Sequence, residues 1–496
     1  GHAAGGKPLI LLIPLLILKT ILTTFSGRRE ASSPNTICRN RYHYNKRHTG
    51  NTMMNPIRLL CLTLSLWFAT SVQAEAQEDL REAIATDYEQ NLESLFIHFH
   101  ENPELSHREF ETSKRLAAEI RALGYDVTEG VGGTGVVAVM RNGDGPTVMI
   151  RADMDGLPVR EQSGLEYAST ATQEDIDGEV KPVMHACGHD THITSLVGTA
   201  RQMAARKNQW SGTLVLIGQP AEERISGARR MLEDGLYERF PKPDYALAFH
   251  VSASIPTGRI EVPLGLRASS ADSVDIVVHG VGAHGASPHK GIDPVLVASQ
   301  IVVSLQSIVS RTIAPQQAGV ITVGAIHGGS KHNIIGDRVE MQLTVRSNDF
   351  EVRETLLDAI DRVARGVALS LGVPEDLLPE VHRSETETTP PTINDQPTAE
   401  RVRNVVAEAF GEDVLWDQPR EGMGAEDFAY FVTPDSGVKG VYFNVGGTLP
   451  ENLDDAASHH SPSFRIEPEP AITMATEAMV RAATRLLDGD DDNAGT

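Results

Sequence analysis

GTLVLIGQPAEE, residues 212–223, runs from an apolar stretch straight into a proline and two adjacent glutamates. A short apolar run bounded by turn residues predicts a strand buried on both faces, with Glu222 and Glu223 delivered just beyond its carboxyl end. Working outward, TGVVAVMR (134–141), PTVMIRAD (146–153) and DYALAFHV (244–251) have the same character, and helical stretches at 191–207 and 226–235 lie between them. Strands alternating with helices predict an α/β class with a mostly parallel central sheet. Ahead of the strands, Leu80, Ile84, Leu92, Leu95 and Phe99 recur at helical spacing within 79–123, with a second amphipathic helix at 112–123.

A different pattern begins near residue 268. ADSVDIVVHG (271–280) alternates as a strand does, 294–310 is an apolar-periodic helix, GVITVGAIHGG (319–329) and RVEMQLTVRS (338–347) are strands, and 351–371 is a helix. This order predicts a small α+β sandwich over 268–383 with an open sheet edge, inserted into the first unit. The Thr- and Pro-rich stretch 386–397 then returns the chain. A helix at 398–410, the strand GVYFNVGG (440–447) and a helix at 469–487 complete the first unit. That unit accordingly comes in two parts, 75–267 and 384–490, and the Asp-rich tail, 491–496, is expected to be disordered.

The chain has 496 residues, enough for more than one domain, and 40% hydrophobic with 22% charged residues is ordinary for a folded soluble protein. Residues 1–74 carry nine of the 44 basic residues and one of the 67 acidic ones, so the remainder holds 35 against 66, a formal charge of −31. Such a chain repels phosphate backbones and anionic lipid, which excludes nucleic acid and membrane surfaces as expected partners. Residues 53–74 combine Arg58, an apolar run from 59 to 69, and small residues at Val72 and Ala74, the pattern of an export signal. The mature protein is therefore expected to be exported, to a periplasm or the exterior, beginning near Glu75. Residues 1–52, with a second apolar stretch at 8–22, read as a non-native extension, with a membrane anchor as the rival reading. Cys38 and Cys61 fall in the segment expected to be removed, so Cys187 has no intramolecular disulfide partner and calls for burial or metal ligation.

Chemistry-bearing residues gather where α/β proteins place their sites, at the carboxyl ends of strands. RADMDGLP (151–158) sets Asp153 and Asp155 after one strand, HACGHD (185–190) follows a loop, Glu222 and Glu223 end another strand, and His250 ends a fourth. Cys187 and His189 are spaced to point one way from an extended loop, and thiolate with imidazole suits zinc or a similar transition metal. His185 and His192 could ligate or orient a ligand. Adjacent glutamates diverge, so one can hold a metal while the other reaches a water, the division of labour that metal-assisted hydrolysis needs.

RADMDGLP, MHACGHD, QPAEE, GAHGASPH (282–289), LQSIVSR (305–311), GAEDF (424–428) and HHSP (459–462), in this order over roughly 85–490, resemble the amidohydrolase branch of the aminoacylase and carboxypeptidase G superfamily. That branch includes hippurate hydrolases and auxin-conjugate hydrolases. The resemblance implies a zinc-peptidase-like catalytic domain interrupted by a lid and dimerisation domain. It implies two divalent metals, zinc, manganese, cobalt or nickel, with Cys187 as bridging ligand and His189, Glu223, His250 and His460 completing the set. By the same resemblance Glu222 is the general base, Asp155 orients a ligand with Asp190 in a similar role, and His284 stabilises the tetrahedral oxyanion, often across a dimer interface. Asn333 and Arg346 match lid positions that hold the substrate carboxylate or the oxyanion. Where family members commonly have Asn-Val-Ile-Pro, this chain reads Asn333-Ile334-Ile335-Gly336, which puts the rigidity of that loop in question. An acidic insertion, TATQEDIDGEVK (170–181), is expected to shape the cleft entrance and to disfavour anionic leaving groups.

The function expected is amide hydrolysis of N-acyl amino acids by a homodimer. The rivals are a metallo-dipeptidase on the same fold and a non-catalytic metal-binding protein.

Overall fold

The computed structural model describes residues 79–489, all of them within one compact unit. The non-native extension (1–52), the export signal (53–74) and the disordered tail (491–496) expected above lie outside the described residues.

The chain enters through helical turns at 79–87, a π-helical turn Tyr88–Leu92 and the helix Glu93–Glu101, then a helix Phe110–Arg121. Strands β1 (Asp126–Val131), β2 (Gly135–Asn142) and β3 (Thr147–Asp153) follow, then a hairpin of β4 (Thr172–Glu174) and β5 (Val180–Pro182). After the helix His189–Ala205 come β6 (Gly212–Gln219), the helices Gly227–Glu233 and Leu236–Arg239, β7 (Tyr245–Pro256), β8 (Ile260–Glu261) and β9 (Leu266–Ala268). Next are β10 (Ala271–His279), β11 (Ala283–His284), the helix Pro294–Arg311, β12 (Gly319–Gly328), β13 (Ile334–Ile335), β14 (Arg338–Ser347), the helix Phe350–Ser370 and β15 (Glu380–Thr389). The chain closes with β16 (Thr392–Ile393), the helix Gln396–Phe410, β17 (Lys439–Thr448) and the helix Pro468–Leu487.

The main sheet has the order β1-β2-β6-β3-β7-β17-β8. Its four central strands, β6, β3, β7 and β17, run parallel, while β1, β2 and β8 are antiparallel additions at the edges. The expected parallel sheet is therefore the centre of a mixed one. Val148, Ile150, Leu214, Leu216, Leu247 and Phe249 face one layer of helices, and Met149, Val215, Ile217, Ala246 and Ala248 face another core on the reverse side. Alternate residues of one strand thus feed two cores, which is why these segments read as unbroken apolar runs.

A second, antiparallel sheet, β12-β14-β10-β15, has its own core of Ile276, Val278, Ile301, Leu305, Met341, Leu343 and Ile360 against the helices Pro294–Arg311 and Phe350–Ser370. Among the described residues, Pro294–Arg311 is the one helix long and apolar enough to cross a membrane; it packs Val297, Ile301, Leu305 and Ile308 on this sheet. The strand β15 was not expected, and it carries the sandwich past residue 383 to Thr389. As an edge strand with most side chains exposed it lacks an apolar face. The two connections run together, because outgoing β9 pairs with returning β16.

The central topology fixes the site. Parallel register sets Asp153 beside Gln219 and Arg151 beside Ala248, so β3 and β6 end on one rim, level with His250 of β7, which does not end there as expected but continues to Pro256 in pairing with β17. The helix His189–Ala205 starts at this rim from Gly188, whose φ of 82° is left-handed and whose added Cβ would lie 2.5 Å from Val251 Cγ1. Only glycine fits there, so His189 becomes the first residue of the helix.

Candidate metal centre

Behind the rim, charge is balanced by one arginine. Arg151 is fully buried and donates to Gln219 Oε1 at 2.7 Å, Asp153 Oδ2 at 2.6 Å and Glu426 Oε1 at 2.7 Å, with Asp427 Oδ1 at 3.3 Å. Asp153 Oδ1 also bonds His192 Nδ1 at 2.6 Å, and the Val251 N–H donates to His192 Nε2 at 2.9 Å. Accepting from an amide leaves Nε2 without a proton, so Nδ1 carries it and both ring nitrogens of His192 are engaged. Its place is that of a support.

In front of this layer the donors converge. His250 Nδ1 donates to the Val251 carbonyl at 2.6 Å, which leaves Nε2 free and 3.4 Å from Cys187 Sγ. His189 Nδ1 lies 3.4 Å from Asp155 Oδ1, and its Nε2 lies 3.9 Å from Glu223 Oε1. Glu223 Oε2 is 3.4 Å from His460 Nε2. Cys187, His189 and His250 offer donor atoms within 4.8 Å of one another, and so do Cys187, Glu223 and His460. The thiol of Cys187 is common to both groups.

The loop after β6 is held in a strained path. Ala221 and Ile225 have φ of 49° and 52°, and His460 has φ of 64°, left-handed values that cost non-glycine residues energy and cluster at functional sites. Buried Glu109 accepts from the Ala221 N–H at 2.8 Å, and Asp155 accepts from the N–H groups of Glu222 and Glu223, both at 3.1 Å, and from Ser106 Oγ at 2.6 Å. With the loop fixed, the glutamates diverge. Glu223 faces Cys187, His189 and His460, whereas Glu222, which also comes within 4.8 Å of His189 and Glu223 donors, has Glu426 and Asp427 oxygens at the same range and joins neither sulfur-centred group.

The electrostatics are those of a site built around positive charge. Burial, then Glu426 and Glu223, hold the Glu222 carboxyl far above the carboxylate range. Burial, opposed by His189 and aided by Asp155 and Asp153, lifts Glu223 to about 7. Burial and the charges of Glu223 and Glu222 push the Cys187 thiol well up. Burial, then the nearby histidines, keep His250 and His459 well below the usual imidazole range. Burial would lower His189 too, but Asp153, Asp155 and Glu223 drive it up to about 10. Both ring nitrogens of His189 and Oε1 of Glu223 are buried without a hydrogen-bond partner. Orphaned donors among acids that resist ionisation, in a mixed sulfur, nitrogen and oxygen set, fit divalent transition cations.

Not every expected residue is gathered here. Arg346, Cys187, Glu222, Glu223, His250 and His460 line one cleft of about 440 Å³. His284 and Asn333 do not line it: His284 is exposed on β11, its Nδ1 accepting from the Ala286 N–H at 3.0 Å. Their loops are tied together instead, His284 pairing with Ile334 and the Gly285 N–H donating to the Asn333 carbonyl at 2.9 Å. That pairing holds the segment even though Gly336 replaces proline. Asp190 turns from the donors to bond His100 Nδ1 at 2.7 Å, and His100 Nε2 bonds Glu161 at 3.0 Å. His185 is buried with both nitrogens unpartnered and joins neither donor group. The 170–181 insertion forms the β4–β5 hairpin, but it packs on the 104–108 segment and Arg224 rather than lining the cleft.

Some participants escaped the sequence reading. His459 Nδ1 lies 3.5 Å from Cys187 Sγ, and Glu426 and Asp427, inside the quoted GAEDF motif, crowd Glu222. Arg267, Arg420 and Asn444 line the cleft wall from segments without a chemical motif.

Comparison with known proteins agrees with this arrangement. The chain is 38% identical over 372 residues to thermostable carboxypeptidase 2 of Saccharolobus solfataricus, covering 74% of this chain and 88% of that protein. It is 36% identical to the hippurate hydrolase of Campylobacter jejuni, covering 70% and 86%. The crystal structure of Bacillus subtilis YXEP protein, described as a dinuclear metal binding peptidase from the M20 family, superposes with a TM-score of 0.66 at 29% identity, covering 82% of this chain and all of that one. The family model for peptidase family M20/M25/M40 matches residues 149–485, a span that holds all five expected metal ligands, and the chain belongs to that family.

Proposed function

We propose that this protein hydrolyses the amide bond of N-acyl amino acids, and that Cys187, His189, Glu223, His250 and His460 would hold two divalent cations. The observation that carries the reading is the divergence of the two glutamates: Glu223 faces the sulfur and imidazole donors, while Glu222 stands beside them with a carboxyl that burial and acidic neighbours make a strong proton acceptor once ionised. Cations bound there supply Lewis acidity, acidifying water and polarising a carbonyl. Glu222 takes the proton from the attacking water and returns it to the amine as the C–N bond breaks, so one carboxylate serves as base and then acid. Asp155 keeps His189 oriented and pins the backbone of both glutamates. Arg346 and Asn333 hold the substrate carboxylate, and His284 donates to the oxyanion. The location of His284 and Asn333 away from the cleft is consistent with their delivery from a second copy of the chain.

Assaying hippurate-like N-acyl amino acids beside simple dipeptides, with divalent metal supplied, tests the reading. Cleavage of the first class at much higher kcat/KM is expected. Preference for free dipeptides would assign a dipeptidase, and inertness toward both with metal bound would leave a binding protein.

A further inference from the structure

A guanidinium taken partly out of water is ordinarily met by a carboxylate, and several in this chain are, although Arg108, with a buried unpartnered Nε, is not. Arg151 has three acids around it, and Arg353 donates to Asp272 at 2.7 Å. Three arginines around the metal cleft depart from it. Arg267 donates from Nη2 to Asn444 Oδ1 at 2.6 Å and lies 4.6 Å over the Tyr442 ring, and its Nε is buried without a partner. Arg420 donates to Ser269 Oγ at 3.0 Å and Asn348 Oδ1 at 2.8 Å. Arg346 meets only the Val345 carbonyl, at 3.4 Å. Among the described residues, no carboxylate oxygen lies within 4.0 Å of a nitrogen of any of the three.

Two of the nearby acids are turned elsewhere: Glu261 accepts from Asn444 Nδ2, and Asp417 pairs with Arg403. Burial and neighbouring Arg267 push the Arg420 guanidinium down, so the pair repel each other, opposed only by the weaker pull of Glu261, which makes no ion pair with either. Glu222, Glu223, Glu421 and Glu426 also line this cleft, but in a protein of net charge −23 three guanidinium groups gathered without an ion-pair partner are a local preference for an anion. Arg267, Arg420 and Asn444 line the metal cleft and also an adjoining cavity of about 400 Å³, so they stand where a substituent leaving the cleft would pass. Arg420 is tied to Asn348, two residues from Arg346, which sets the pair beside the arginine that holds the substrate carboxylate.

We infer that Arg267 and Arg420 form a second anion subsite, and that the amine product is a dicarboxylic amino acid of the aspartate or glutamate kind. Arg346 holds the α-carboxylate and the pair holds the side-chain carboxylate. This rests on the N-acyl amino acid reading given above. Neutral acceptors hold each guanidinium in place while leaving donors free, and a charge-assisted fork to carboxylate rejects a substrate that lacks it.

The test compares metal-loaded enzyme on N-acetylglutamate, N-acetylglutamine and N-succinylglycine. The ratio of kcat/KM for N-acetylglutamate over N-acetylglutamine is expected to exceed roughly tenfold and to fall by roughly tenfold or more in Arg420→Gln and in Arg267→Gln. Free glutamate is expected to inhibit more strongly than glutamine, a readout independent of turnover rate. Arg420 is surface-exposed, so its variant tests the subsite even if Arg267→Gln fails to fold. Equal use of glutamate and glutamine conjugates, or preference for N-succinylglycine, would overturn the subsite while leaving amide hydrolysis intact. Failure to cleave any N-acyl amino acid would overturn the underlying reading instead.

Discussion

Asp155 Oδ1 stands 3.4 Å from His189 Nδ1, and the two oxygens of the same carboxylate accept the backbone N–H groups of Glu222 and Glu223. One acid therefore orients a ligand ring and sets the loop bearing both glutamates. Burial would raise its pKa, but the His189 ring 3.4 Å away and the Ser106 hydroxyl hold it below the usual carboxylate range, so it is an anion here. Asp155→Asn keeps the shape and removes the charge that raises the basicity of His189. Metal affinity is expected to fall by roughly 10- to 100-fold. Titrating metal-free enzyme with zinc or manganese while following activity checks this, and unchanged affinity would remove Asp155 from the orienting role.

The two glutamates are expected to fail differently. Glu222→Gln removes the proton carrier without removing a metal donor, so kcat drops by roughly 10²- to 10⁴-fold while metal content is retained. Glu223→Gln removes a donor shared with His189 and His460, so bound metal is lost along with activity. Elemental analysis of both purified variants beside their kinetics separates the roles, and equal metal content in the two would void the distinction.

The residues that end β3 and β6 were legible because strands buried on both faces leave unbroken apolar runs, and the polar residue that ends such a run marks the rim; His250 ends its apolar run too, although β7 continues past it to Pro256. Cys187 was legible through scarcity of cysteine. Other parts of the site carry no local signature. Arg151 looks like an ordinary strand residue until Glu426 and Asp427, more than 270 positions away, are folded against it. His459 and His460 are adjacent, and only the left-handed backbone at His460 turns one ring toward Glu223 and the other toward Cys187. β15 was hidden because an edge strand takes its stability from backbone pairing with β10, not from an apolar face. The motif match separated Glu222 from Glu223 in the sequence, and the physical ground for it, the Cys187 and His460 donors beside Glu223 and the Glu426 and Asp427 carboxylates beside Glu222, appears only in three dimensions.

Metal binding should be tied to pH with a definite sign. In the metal-free protein Glu223 is raised from its ordinary 4.5 to about 7. A carboxyl raised on folding contributes stability that is full below the unfolded value and is lost as pH rises through the folded one. The metal-free protein therefore loses this contribution between about pH 4.5 and pH 7, as a buried charge appears without its counter-ion. A cation needs the ionised carboxylate and thiolate, so its binding releases protons and strengthens over the same window. The rise in Tm on adding zinc or manganese is expected to grow from about pH 5 to about pH 8, and dipicolinate should abolish both the increment and the activity. A Tm increment flat across this range would contradict the assigned ionisations.

His284 is exposed, outside the cleft, and on a loop whose backbone is tied to that of Asn333. If it acts on the site of a second copy, its loss and the loss of Glu222 must complement each other. In a mixed dimer of Glu222→Gln and His284→Ala subunits, the first supplies an intact His284 to the second, whose own Glu222 is intact. One of the two sites is then whole. Random reassortment makes about half the dimers mixed, so activity should recover to roughly a quarter of wild type from two nearly inactive parents. Mixing the purified variants under conditions that exchange subunits, and following cleavage of an N-acyl amino acid with time, reads this directly. No recovery despite proven exchange, by mass spectrometry of differently tagged subunits, would place His284 in the site of its own chain or outside catalysis.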